Sequence, residues 1–268
     1  MESGRPSRNA DEPQELEAAL GHFRDSLGSV KNLAQGLHSV RIGPRSIESV
    51  LPDVRDSCAA IESSAREALD RVALRLADRT AVDELLGWLG PRTRELEQVL
   101  TAALGKPVNA KARLGLEQDV ARLSGELEAG RALVDLLDDA VRGSRFPLDL
   151  SELLRHARVS RDASAQIEVR VAADLTGEVL VNPRVCALVL GIGASLVHRH
   201  SGKTPVVSRG TSACLVIGVE AAGTETVALP TVAVFAPTLS CARAAAQACG
   251  LGLVWDDAAP RFSVTLPP

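Results

Sequence analysis

Apolar residues in the first part of the chain recur at alternating steps of four and three: Leu16, Leu20, Phe23, Leu27, Val30, Ala34 and Leu37. That spacing puts all of them on one stripe of a helix. Gly43-Pro44 breaks it. A second stripe runs through Ile47, Val50, Val54, Cys58, Ile61, Ala65, Ala68 and Val72, with Pro52 in the first turns, where proline is tolerated. A third helix is expected over 82–104, with Leu96, Val99, Leu100 and Ala103 on its face and a kink or delayed start at Gly90-Pro91. Gly105-Lys106-Pro107 ends it. A fourth is expected over 112–141, with Leu116, Val120, Leu123, Leu127, Val134, Leu137 and Val141 inward. Four such helices with short connections predict an up-down antiparallel bundle over 13–142. It closes within one chain, or forms two hairpins of which one dimerises. Residues 1–12 carry no periodicity and are expected to be a disordered tail.

The pattern changes after 142–147, the expected domain junction. Short β-branched runs at 167–171, 206–207, 214–219, 231–235, 253–255 and 262–266 alternate with helical segments. This predicts an α+β domain over 148–268, with a mixed or antiparallel sheet covered on one face by helices.

Composition narrows the functions open to the chain. At 268 residues it has room for one large domain or two modest ones, and 46% hydrophobic content suffices for a core. A net charge of -4 gives no broad electrostatic case for nucleic-acid binding. Aromatics at 2%, with no Tyr, argue against base-stacking platforms and aromatic-rich recognition surfaces. Cys58, Cys186, Cys214, Cys241 and Cys249 are scattered, without a C-x-x-C pair, and read as small core residues. No signal peptide and no membrane span is expected, which makes the expected location cytoplasmic.

The second half resembles the ATP-binding domain of sensor histidine kinases. The resemblance rests on the order of its parts. They are a leading helix at 148–154, a strand at 166–171, and Val179-Leu180-Val181-Asn182-Pro183 opening an apolar helix that ends near His198-Arg199-His200. A small-residue helix, the turn Gly250-Leu251-Gly252-Leu253 and the terminal run Phe262-Ser263-Val264-Thr265-Leu266-Pro267 follow. With the helical half, the plan is similar to stand-alone bacterial histidine phosphotransferases built on a degenerate kinase scaffold. The resemblance implies a four-helix dimerisation and phosphotransfer bundle followed by a degenerate ATPase-type α/β sandwich.

Three departures bear on ATP use. Leu196 stands where the family places its magnesium-binding asparagine, and magnesium requires hard oxygen ligands. Where the family has Asp-x-Gly-x-Gly, this chain reads Glu220-Ala221-Ala222-Gly223-Thr224, so the glycine pattern is lost. The span from Gly223 to the expected strand at 231–235 leaves little room for a phosphate-covering lid. No cofactor and no metal are therefore expected.

In the bundle, Arg24, Asp25, Ser26 and Leu27 match the end of the family's phosphoacceptor motif, which puts Gly21 on the acceptor position and His22 on the acidic one. Phe23 belongs to the apolar stripe, so His22 is expected to face solvent. Two readings of His22 stand side by side: an ordinary polar residue on a wet helix face, and a phosphoacceptor with Arg24 and Lys31 near the phosphate. His22, Arg24, Asp25 and Lys31 form the candidate partner-binding surface. The resemblance implies a non-catalytic two-component signalling adaptor that binds a receiver domain or another regulator, with a homodimer through the bundle open. The alternatives are a histidine phosphotransferase relaying through His22, and an architectural or sequestering adaptor without a receiver partner.

The remaining histidines read as structural. His38 sits near a helix C-terminus, where a cation is favoured. His156, His198 and His200 lack a carboxylate or Cys to complete a ligand set. Gly250-Leu251-Gly252 lacks the Lys and Ser/Thr of a phosphate loop.

Overall fold

The structure is a computed structural model. It describes residues 18, 21, 22, 25, 28, 44–104, 110–157, 165–173, 175, 177–210, 214–219, 223 and 225–267. Elements run α1 (Pro44–Ala73), α2 (Thr80–Leu104), α3 (Ala110–Arg142), β1 (Phe146–Asp149), α4 (Leu150–Ala157), β2 (Ala165–Val171), β3 (Glu178–Val181), α5 (Pro183–Ser201), β4 (Val206–Arg209), β5 (Cys214–Gly218), β6 (Glu225–Thr231), α6 (Thr238–Ala248), β7 (Gly252–Asp256) and β8 (Arg261–Thr265). Ala18, Gly21, His22, Asp25 and Gly28 are also helical. The protein is thus α+β, with helices and a mixed sheet.

The chain divides into two compact units, one of Met1–Leu74 and Leu86–Arg131, the other of Arg75–Leu85 and Ala132–Pro268. In the first, the stripe of α1 is buried at Cys58, Ile61, Ala65, Ala68 and Val72, joined by Leu69. On α2, Trp88, Leu89, Leu96 and Leu100 are buried, and on α3 Val120, Leu123 and Leu127. Val99 and Leu116, expected inward, are half-buried. Cross-helix pairs show that neighbours run antiparallel. Arg55 Nε meets Glu97 Oε1 at 2.7 Å, Arg92 Nε meets Glu126 Oε2 at 3.2 Å, and Arg122 Nη2 meets Glu95 Oε1 at 2.7 Å. These pairs are partly solvated and add little, so the buried apolar stripes hold the helices together. Gly130 allows close approach, since a Cβ there would lie 2.6 Å from Leu89 Cδ2.

Gly90-Pro91 neither delays nor ends α2. The helix starts at Thr80, where the Asp78 carboxylate accepts from the Thr80 N–H (2.9 Å) and Oγ1 (2.8 Å) and caps the first turn. Pro91 has no N–H to bond Gly87, but Gly87 lies on an exposed turn where solvent can satisfy that carbonyl.

In the second unit, β1 and β3 form a two-stranded antiparallel sheet, and six strands form a mixed sheet in the order β6-β2-β4-β5-β8-β7. β2 and β4 run parallel, and the remaining neighbours antiparallel. Val169, Val171, Leu215, Ile217, Phe262 and Val264 are buried while Glu168, Arg170, Arg261 and Thr265 are exposed, the alternation of a sheet with one covered face. The cover is α5, which packs on β2, β5, β6 and β8. Its glycines set the distance: a Cβ on Gly193 would lie 2.2 Å from Phe262 Cδ1, and one on Gly191 would lie 1.8 Å from the Pro230 carbonyl oxygen.

Three sequence expectations need correction here. Leu148 and Asp149 belong to β1 and pair with Val179 and Glu178 of β3, so the leading helix begins only at Leu150. The Asp149 carboxylate caps it, accepting from the Ser151 N–H at 2.8 Å. The strand expected at 231–235 instead spans Glu225–Thr231, where all seven residues pair with β2. Its Pro230 is tolerated because β6 is an edge strand. Val141, expected inward, is half-buried.

Candidate functional site

Two places are candidates for function: α5, and the helical turn around His22.

Helix α5 starts where Asn182 Oδ1 accepts from the N–H groups of Arg184 (3.1 Å) and Val185 (3.2 Å), with Pro183 in the first turn. Asn182 Nδ2 also donates to the Asp139 carbonyl (3.1 Å), and Arg184 Nε pairs with Asp139 Oδ2 (2.9 Å). The end of α3 is thereby tied to the start of α5 within this unit. The sequence signal for the tie was Asn-Pro ahead of an apolar run, which reveals the cap but not its partner on α3.

Further along, α5 is closed by β6. Gly191 abuts the Pro230 carbonyl, and Ser195 Oγ lies 3.0 Å from the Gly191 carbonyl oxygen and 2.9 Å from Thr231 Oγ1, which gives the buried Thr231 hydroxyl a partner. Leu196 is 6% exposed and offers no oxygen to a cation. Because β6 begins at Glu225, only Thr224 separates it from Gly223, an even shorter span than expected. Gly223 itself packs on β2, where a Cβ would lie 2.3 Å from Arg170 Cβ. Glu220 lies outside the described residues.

At the other end of α5 the exposed histidines serve the backbone. His198 Nδ1 is 3.0 Å from the Lys203 carbonyl, and His200 Nδ1 is 2.9 Å from that of Leu196. His200 also leans on Trp255, ring centroids 5.1 Å apart. Among the described residues no group of three or more His, Cys, Asp and Glu could hold a metal ion. Gly250 (φ 72°) lets the chain leave α6, with the Leu251 N–H donating to the Ala246 carbonyl at 2.8 Å, so this glycine turn is a helix cap.

Of the sequence-predicted site, His22 and Asp25 are helical and exposed, while Gly21 and Gly28 are half-buried. At about 100° per residue, His22 and Asp25 lie about 60° apart around the helix, and Gly21 is turned about 100° from His22. His22 and Asp25 therefore share a wet face. A Cβ on Gly21 meets nothing within 4 Å. Arg24, Lys31 and His38 lie outside the described residues, as does the side chain of His156.

The four buried cysteines are poor nucleophiles. Burial pushes the thiol of Cys58 up to about 11 and those of Cys186 and Cys241 up to about 12, and it raises that of Cys249. Among the described residues no helix is long and apolar enough to cross a membrane. Neither a protein-family model nor a curated protein sequence matches the chain.

Proposed function

We propose that the protein is a non-catalytic signalling adaptor of the two-component type, built as a helical bundle joined to a degenerate ATPase-type domain. It binds a receiver domain or a similar regulator without using ATP. The observation that carries the reading is Leu196: where the resemblance places a magnesium-binding asparagine, α5 holds an apolar side chain only 6% exposed. Magnesium on a triphosphate needs oxygen donors, and an apolar side chain in that place supplies none. The partner surface is the helical face of His22 and Asp25, extended in sequence by Arg24 and Lys31. A polar, exposed face suits a transient signalling contact. The test is binding of the full chain to a panel of purified receiver domains, repeated with alanine at His22 and Asp25. Binding that weakens at least tenfold supports the reading, and binding that is unchanged contradicts it.

One observation favours the second reading, phosphotransfer through His22. The imidazole is exposed on a helix, as a ring nitrogen receiving a phosphoryl group from a receiver aspartate must be. Incubation with a small phosphoramidate donor separates the two readings. An acid-labile label lost in His22→Gln makes the protein a phosphotransferase, and no label leaves it an adaptor.

A further inference from the structure

The six-stranded sheet ends at β7, which among the described residues pairs with β8 alone. An edge strand presents a row of unpaired N–H and C=O groups, and native edges are usually blunted by proline, lysine, a bulge or a covering element. The opposite edge, β6, carries Pro230. β7 reads Gly252-Leu253-Val254-Trp255-Asp256, without proline or lysine, and its central Val254 is 62% exposed.

We propose that β7 pairs antiparallel with β7 of a second copy of this chain, about a two-fold axis through Val254. In that register Gly252 faces the second copy's Asp256, and Leu251 comes near its Asp257, the first residue of the turn after β7, whose carboxylate also accepts from Trp255 Nε1. The Arg145 guanidinium stands against Gly250, one residue before Leu251: a Cβ there would lie 3.1 Å from Arg145 Nη1, and Nη2 reaches the Ala248 carbonyl at 3.5 Å. Each copy's Arg145 is thus brought beside the other copy's Asp257, and symmetry makes the contact twice. Self-pairing also places Val254 against Val254, a favourable β-branched cross-strand pair. The edge therefore complements itself in hydrogen bonding and in this charge pair. This interface is independent of receiver docking and of the bundle.

The test uses the full chain. Light scattering behind size exclusion at about 100 µM reads the oligomer. The expected result is a dimer that becomes monomeric in Val254→Lys with unchanged thermal unfolding. Directly opposed residues of an antiparallel pair have Cα atoms about 4.5–5.5 Å apart, within the range a disulfide spans. Val254→Cys should therefore cross-link to itself under mild oxidation, while the wild type does not. Arg145→Glu and Asp257→Arg should each weaken the dimer on the order of tenfold, and the double variant should restore it. A monomeric wild type overturns the proposal, as does a dimer that survives Val254→Lys or a Val254→Cys variant that fails to cross-link.

Discussion

Replacing Gly193 by alanine adds one methyl group at the tightest point between α5 and the sheet. The new Cβ would lie 2.2, 2.5 and 2.6 Å from Cδ1, Cγ and Cε1 of Phe262. Those atoms belong to a ring, not to the far end of a flexible chain, and Phe262 is fully buried. Its strand cannot slide, because β8 is paired with Ile217 of β5 on one side and Trp255 of β7 on the other. Overpacking of this kind costs about 1–3 kcal/mol, and more when backbone must shift. Against this stands the helix propensity gained on Gly→Ala, about 1 kcal/mol. The overlap covers three ring atoms, so we expect a net loss of about 2 kcal/mol. Urea unfolding followed by Trp255 fluorescence in a Trp88→Phe background reports on the unit that holds the contact. A Gly193→Ala protein as stable as its parent would refute the packing argument, and with it the closed face of α5.

Further outcomes follow from the same geometry. Gly125, exposed on α3 with nothing within 4 Å of a Cβ, should gain about 1 kcal/mol on change to alanine, measured by the same unfolding assay read by circular dichroism. At pH 8 a thiol reagent should label half-buried Cys214 first and leave Cys58, Cys186 and Cys241 unreacted until urea exposes them; rapid labelling of those three in the native state would contradict their burial. Hydrogen bonds from Ser151 hold the Asp149 carboxyl below the usual carboxylate range. Its stabilisation is therefore present above the unfolded value near pH 3.9 and is lost as pH falls through the lower folded value. Stability measured from pH 6 down to pH 2.5 should fall less steeply in Asp149→Asn than in the wild type.

The helices were legible because burial repeats along them. Cys58, Ile61, Ala65, Ala68 and Val72 follow the helical period, and all are buried. The placement of His22 off the stripe, beside Phe23, likewise matches its exposure. What stayed hidden depends on partners distant in sequence. Val232, Ala233, Val234 and Phe235 look as strand-like as β6, and Pro230 counts against β6 when read locally. The register with β2 and the edge position decide otherwise. Phe146-Pro147 reads as a linker and Leu148-Asp149 as the start of a helix until β3 arrives to pair with them. Gly90-Pro91 reads as a kink or delayed start because solvent access at Gly87 is not written in the sequence. At the candidate site, Leu196 announced a missing oxygen ligand. The closing of α5 by Pro230 and Thr231 is a product of topology alone.

The central claim is that this scaffold works without ATP, and calorimetric titration of the full chain with magnesium-ATP tests it most directly. The account predicts no saturable heat at millimolar nucleotide. Saturable, magnesium-dependent binding would contradict it, because the buried Leu196 side chain offers a cation no oxygen ligand.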